Sequence, residues 1–260
     1  MPTALQQPVE SGRDKVKFSR DLEQLPESFY TRYGKRVLDT CLSALGLVVS
    51  SPVLVVVACC IRLTSGGPII FRQARVGKDN REFEVLKFRS MVKDAVGNGF
   101  RITRSGDQRV TRMGRLLRRY KIDELPQLWN VLRGEMSLVG PRPELPHYVA
   151  GYSPQERLLL TVRPGITDPS TLAYVNEEEI LANHDDPDSA YRTQILPDKL
   201  ARSMDYLRQV SLASDLRIIV QTMAHVVRAA RKAAGPESSP SRKGEESYST
   251  KGERCANFFE

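Results

Sequence analysis

The sequence predicts an α/β fold, mostly α, in a single membrane-associated domain. Three observations lead there: a charge-free apolar run over residues 40–61, one strand–turn–strand pattern over residues 69–91, and basic segments whose apolar residues recur at helical spacing. A chain of 260 residues is long enough to bury a sizeable core as one domain with appendages. Lys and Arg total 39 against 31 Asp and Glu, and the net charge of +8 favours a polyanionic partner, whether nucleic acid, an anionic membrane or a phosphorylated substrate. Cys41, Cys59, Cys60 and Cys255 fit neither a Cys-x-x-Cys metal site nor a disulfide framework, and His147, His184 and His225 are scattered, so a His/Cys metal centre has no support. Reduced thiols in a cytoplasm-facing protein are expected.

Residues 1–30 mix charges with few apolar side chains and contain nothing like a signal-peptide core, so a flexible N-terminal segment is expected there. The run "TCLSALGLVVSSPVLVVVACCI", residues 40–61, follows. At the helical rise it reaches roughly 33 Å, enough for a hydrocarbon core of about 30 Å. Pro52 interrupts it: without an amide hydrogen it frees the carbonyl of Val48 and bends the helix, and Ser50 and Ser51 carry hydroxyls able to satisfy the freed group. Cations stand on both sides, Arg32, Lys35 and Arg36 before and Arg62, Arg72, Arg75 and Lys78 after. The positive-inside tendency puts both ends on the cytoplasmic side, which favours a re-entrant helix–break–helix hairpin over residues 37–63, broken at Ser51 and Pro52, above a crossing helix. A buried core helix would show a polar face, which this run lacks.

After the turn cluster "TSGGP", "IIFRQARVGKDNREFEVLKFRSM" predicts a small β-hairpin turning at Gly77 to Asn80, with Phe83, Val85 and Leu86 on its inner face. Lys87 and Arg89 flank Phe88 and fit either a phosphate contact or a solvated strand face. "RVTRMGRLLRRY" is an amphipathic helix with Val110, Met113, Leu116, Leu117 and Tyr120 on one side and Arg112, Arg115, Arg118 and Arg119 on the other. Leu125, Leu128, Trp129 and Leu132 then define a second helix, ended by Gly134.

That spacing puts Asp123 at the N-cap and Pro126 at the third helical position. A capping Asp uses the amide hydrogen of the second or third helical residue. Pro126 has none, so the plain cap is weakened. The helix dipole and the neighbouring cations favour ionised carboxylates at Asp123 and Glu124, suited to nucleophilic attack or to holding Mg2+. Arg142, fixed between Pro141 and Pro143, fits a phosphate contact or a structural salt bridge equally. "DLRIIVQTMAHVVRAARKA" is a further basic amphipathic helix, suited to a membrane surface or to a core. The Ser/Gly/Lys/Glu-rich residues 234–260 predict a disordered tail, leaving 31–233 as the folded domain.

From Lys35 to Arg228 the chain resembles the monotopic polyprenyl-phosphate phosphoglycosyl transferases, the bacterial sugar transferases. The resemblance is carried by "KRVLDTCLSALGLVVSSPV", "FRQARVGKDNREFEVLKFRSM", "TRMGRLLRRYKIDELPQLWNVLRGEMSLVGPRP" and "VRPGIT" in that order. It implies a re-entrant membrane helix and an active site at the cytoplasmic face of the bacterial inner membrane. The implied reaction is Mg2+-dependent transfer of a phosphosugar from a UDP-sugar to undecaprenyl phosphate with release of UMP. By the same resemblance Asp123 is the nucleophile, Glu124 its partner at the metal, and Lys87, Arg118 and Arg142 line the phosphate site.

One segment departs. Many members continue after the matched "RPGIT" with a Gly-Trp-Ala-Gln-Val-Asn-Gly run and an arginine, whereas this chain reads "DPSTLAYVNEEEILANHDDPD". Nucleotide and sugar contacts of that loop are therefore not carried over. The chain resembles the minimal catalytic form, without the extra spans of larger members. Two rival classes are a membrane-tethered nucleic-acid binder and a silent membrane scaffold. Asp123 and Glu124 at the end of the arginine face would repel a nucleic-acid backbone, so the expected partners are UDP-sugar, polyprenyl phosphate and lipid bilayer, without nucleic acid.

Overall fold

The computed structural model describes residues 27–65, 67–92 and 106–234. The expected flexible segment 1–30 and tail 234–260 lie almost wholly outside the described residues. One helical turn, Tyr30–Gly34, leads into the long helix α1, Lys35–Thr64. Its 30 residues give about 45 Å of length, and among the described residues it is the one helix long and apolar enough to cross a membrane. The helix runs through Pro52 without interruption, so Ser51 and Pro52 do not divide it into two separate helices. The carbonyl of Val48 that Pro52 cannot pair accepts instead from Ser51 Oγ at 2.8 Å, and Ser50 Oγ donates to Gly46 O at 2.6 Å. The Ser51 hydroxyl thus satisfies the carbonyl whose donor proline removes, which lets an apolar helix continue past it.

One side of α1 packs along the globular body. Arg36 donates to the carbonyls of Val131 and Leu132, Asp39 Oδ1 accepts from Leu138 N, and Val57 and Ile61 join Phe88 and Leu117 in a small apolar cluster. Lys35 meets Asp215, which also accepts from Tyr30 and Tyr206. The other side leaves Leu45, Val48, Val49, Val53, Val55 and Val56 exposed, Val48 at 71%. Hydrophobic side chains bared in an unbroken band of this kind mark a lipid- or partner-facing surface.

Strands β1, Ile70–Val76, and β2, Glu82–Phe88, form the expected antiparallel hairpin, Ile70 opposite Phe88 and Val76 opposite Glu82. Its turn over Lys78–Asn80 holds Asp79 and Asn80 at positive φ, a conformation that Asp and Asn tolerate better than most residues. Val76, Val85 and Phe88 are the residues it buries deeply; Phe83 and Leu86 are only partly covered.

Helix α2, Arg112–Arg119, begins later than the apolar pattern suggests, because Thr111 caps it by accepting from Gly114 N at 2.9 Å, while Val110 pairs with Met91. Leu117 is buried, but Leu116 is exposed. The packed stripe instead includes Gly114, where a Cβ would lie 1.9 Å from Ser90 O, so only glycine lets α2 approach the end of β2 so closely.

Helix α3 is Gln127–Arg133, closed by Gly134 at φ 82°. The short strands β3, Ser137–Val139, and β4, Gly165–Thr167, run parallel, and Gly140 and Gly165 meet backbone to backbone where they pair. The remaining body is helical: α4, Pro169–Ala173, α5, Glu177–Ala182, α6, Leu196–Arg208, and α7, Leu212–Ala234. The main core joins Val139, Tyr148, Leu159, Leu181, Tyr191 and Leu200. The mostly helical fold with small two-stranded sheets matches the expected class.

Candidate active site

Asp123 and Glu124 sit in a tight 3-10 turn, Ile122–Glu124, between α2 and α3. Lys121 enters this turn in the left-handed conformation at φ 56°, and that reversal directs the next two carboxylates inward. The weakened cap does not form: α3 starts after Pro126, and the Asp123 side chain makes no capping bond. Proline removes one of the two donors that a capping Asp123 could use, and the helix begins beyond it.

The two carboxylates live in opposite surroundings. Glu124 Oε1 accepts from Lys87 Nζ at 3.0 Å and from Arg142 Nη2 at 2.7 Å. Burial opposes its ionisation, yet Arg142, Lys87 and Lys121 outweigh that and hold its carboxyl well below the usual range. In turn Glu124 holds the Arg142 guanidinium above its ordinary value, whereas burial pulls the Lys87 ammonium down. Asp123 is only 7% exposed, and its Oδ1 has no hydrogen-bond partner. Burial, with Glu124 adding to it, pushes its carboxyl up against the opposing pull of Lys87, Arg118 and Lys121. The expectation of two equally low carboxylates is corrected: desolvation outweighs the cations at Asp123.

The structure therefore brings Lys87, Glu124 and Arg142 into one ion-pair cluster with Asp123 beside it. Lys87 and Arg89 do not form a solvated strand face. Lys87 turns to Glu124, and Arg89 binds Ser65 O and Oγ at 2.6 and 2.7 Å, tying the hairpin to the end of α1. Of the two roles left open for it, Arg142 takes the structural salt bridge, pairing with Glu124 and donating to Ile166 O at 3.3 Å. Arg118 donates from Nε to Ser90 Oγ at 2.9 Å and from Nη1 to Glu178 at 2.8 Å. Ser51 and Pro52, on α1, stand apart from this centre.

Several supporting residues escaped sequence reasoning. Asn130, wholly buried in α3, receives Leu86 N and donates to Glu84 O, so it clamps β2 and sets the depth at which Lys87 meets Glu124. A polar amide among the apolar residues of a short helix was the available signal. Arg75 donates to Pro143 O at 3.0 Å and stands 3.5 Å from Glu144, fixing the backbone that follows Arg142.

Such a centre combines an unpartnered buried carboxylate with fixed cations, which suits attack on a phosphorylated electrophile. The bacterial sugar transferase family model matches residues 30–229. A UDP-N-acetylgalactosamine-undecaprenyl-phosphate N-acetylgalactosaminephosphotransferase of Aeromonas hydrophila is 35% identical over 206 residues, covering 78% of this chain and 45% of that protein. An undecaprenyl-phosphate glucose phosphotransferase of Komagataeibacter xylinus is 41% identical over 209 residues, 78% of this chain and 37% of its own. A UDP-glucose:undecaprenyl-phosphate glucose-1-phosphate transferase of Caulobacter vibrioides is 39% identical over 192 residues, 73% and 68% of the two chains. The chain thus spans less than half the length of the first two of these relatives. With a family match covering most of its length and the motif residues gathered at one centre, this chain belongs to the bacterial sugar transferase family.

Proposed function

We propose that this protein transfers a sugar 1-phosphate from a UDP-sugar to undecaprenyl phosphate, releasing UMP, at the cytoplasmic face of the bacterial inner membrane. The observation that carries this reading is the buried Asp123 carboxylate, whose Oδ1 is unpartnered beside the Lys87–Glu124–Arg142 cluster. The names of these relatives, undecaprenyl-phosphate sugar phosphotransferases, support the choice of donor and acceptor.

In the first half-reaction Asp123 Oδ1 attacks the phosphorus next to the sugar. The bond from that phosphorus to the bridging oxygen breaks, and UMP leaves with the electron pair. An oxygen of the lipid phosphate then attacks the same phosphorus, and Asp123 departs as carboxylate. Its desolvation suits it to the role, since an oxygen without hydrogen bonds needs no partner stripped from it before attack. Lys87 and Arg142 are already held by Glu124, so the positive charge that meets the phosphates is preorganised.

Mg2+ fits this set. Magnesium is usually held by one or two carboxylates together with substrate phosphates. Among the described residues no three His, Cys, Asp or Glu side chains converge, so Glu124 and the second oxygen of Asp123 would hold the ion with the substrate phosphates, leaving Asp123 Oδ1 for attack. Bound between these two residues and the diphosphate, the ion would neutralise phosphate charge. The chain's own cations share that task through Lys87, Arg142 and Arg118.

Re-entry of α1 is part of the proposal. Arg36 and Asp39 near one end and Val57 and Ile61 near the other pack on the same body, which favours both ends on one side of the membrane; re-entry further requires the continuous α1 to bend at Pro52 in the bilayer. Cysteines introduced at exposed Tyr33 and Leu63, in a chain whose own cysteines are serine, are expected to react with an impermeant reagent only from the cytoplasmic side. Labelling of one of them solely from the periplasm contradicts re-entry. For the reaction, UMP release is measured across a panel of UDP-sugars in nanodiscs with and without undecaprenyl phosphate. Turnover that requires both is the expected result, and no turnover with any donor contradicts it.

A further inference from the structure

The acidic segment that departs from the family pattern reaches the candidate site. Helix α5 begins with Glu177, Glu178 and Glu179, and its first two carboxylates point to different partners. Glu177 Oε2 accepts from Lys199 Nζ at 2.9 Å, and Lys199 is itself buried in α6. Leu181, one turn on, is wholly buried in the main core. Those two anchors fix α5, and between them Glu178 Oε1 receives Arg118 Nη1 at 2.8 Å, sixty residues away in sequence. Arg118 is meanwhile rooted by Nε on Ser90 Oγ at 2.9 Å, so the Nη edge is the part that a ligand can claim.

A carboxylate and a phosphate want the same edge of a guanidinium and carry the same sign of charge. We infer that Glu178 is a positioning residue that competes with the donor's phosphate for Arg118. This rests on the proposed reaction. Without donor, Glu178 pairs with the Nη edge of Arg118 and neutralises it. When the donor binds, its phosphate takes the Nη edge and the half-exposed Glu178 swings to solvent, a motion that an exposed side chain makes cheaply. The carboxylate then stands ready to reclaim Arg118, which limits donor affinity.

The test is UMP release by the full chain in nanodiscs, measured against UDP-sugar concentration for wild type, Glu178→Gln and Glu178→Asp. Glu178→Gln is expected to lower the donor KM about three- to fivefold, about 0.7 to 1 kcal/mol at 1.4 kcal/mol per decade, with kcat within about twofold of wild type. Glu178→Asp, which keeps the carboxylate, is expected to return KM towards wild type. A purely structural role would instead reduce the active fraction and leave KM alone. A second readout does not depend on turnover: modification of Arg118 by phenylglyoxal, followed by mass spectrometry, should speed up in Glu178→Gln and be suppressed by inorganic pyrophosphate.

If wild type consumes no UDP-sugar while Arg118 reactivity rises in Glu178→Gln, the proposed reaction falls and the competition for Arg118 stands. If UMP is released normally while neither KM nor Arg118 reactivity changes, the reaction stands and the role of Glu178 is overturned.

Discussion

Asp168 and Asp123 are both buried aspartates set just before a helix with a proline close behind, yet they are held in opposite ways. Asp168 is followed directly by Pro169, so the proline occupies the first helical position, where a missing amide hydrogen costs nothing. Its carboxylate accepts from Thr171 N, Thr171 Oγ1, Ser170 Oγ and Ser203 Oγ, and it is 0% exposed. Asp123 is followed three residues later by Pro126, which removes a donor that a cap would use, and its Oδ1 accepts nothing. A shift of proline by two positions separates an aspartate that stabilises a helix from one whose electron pairs remain available. Burial alone does not single out a carboxylate; burial without partners is what calls for a functional explanation.

The largest expected effect comes from Asp123→Asn. It should reduce UMP release by at least about 10^3-fold, as loss of a nucleophile does. Its melting temperature should hold or rise, because a buried carboxylate without partners costs stability. A large drop in melting temperature would show that Asp123 is structural after all. Next, Glu124→Gln leaves Lys87 and Arg142 with a neutral neighbour, and breaking such a buried pair costs about 3 kcal/mol. Urea denaturation measures that loss, and UMP release should fall with it.

Asp168→Ala should behave as the mirror of Asp123→Asn. It removes a helix cap and strands buried hydroxyls, costing about 2 to 3 kcal/mol in urea, with UMP release per folded molecule unchanged. The smallest effect sharpens the comparison most. Pro126→Ala restores an amide hydrogen just ahead of α3, three residues beyond Asp123, so Asp123 gains a donor that it can cap. Thermal melting should rise slightly while UMP release falls about tenfold, as the carboxylate turns away from its attack position.

Much of this was legible locally. The β-hairpin turn, the Ser51 hydroxyl on the Val48 carbonyl and the loss of the Asp123 cap each follow from residues within a few positions of one another. What escaped was long-range. Periodicity grouped Leu116 with Leu117, but only the approach of Ser90 to Gly114 decides which side of α2 is buried. The charge pattern treated Asp123 and Glu124 alike, whereas Arg142 and Lys87 arrive from distant strands and loops and both choose Glu124. The destination of Arg118, a glutamate in the segment that departs from the family, had no local signal either.

The most direct measurement of the central claim is made without the lipid acceptor. Protein in nanodiscs is incubated with Mg2+ and a UDP-sugar that supports turnover, quenched, digested and mapped by mass spectrometry. A phosphosugar mass on the peptide containing Asp123, matched by an equal amount of released UMP, is the predicted result. UMP release by Asp123→Asn at the wild-type rate, or a phosphosugar adduct on any other residue, would contradict it.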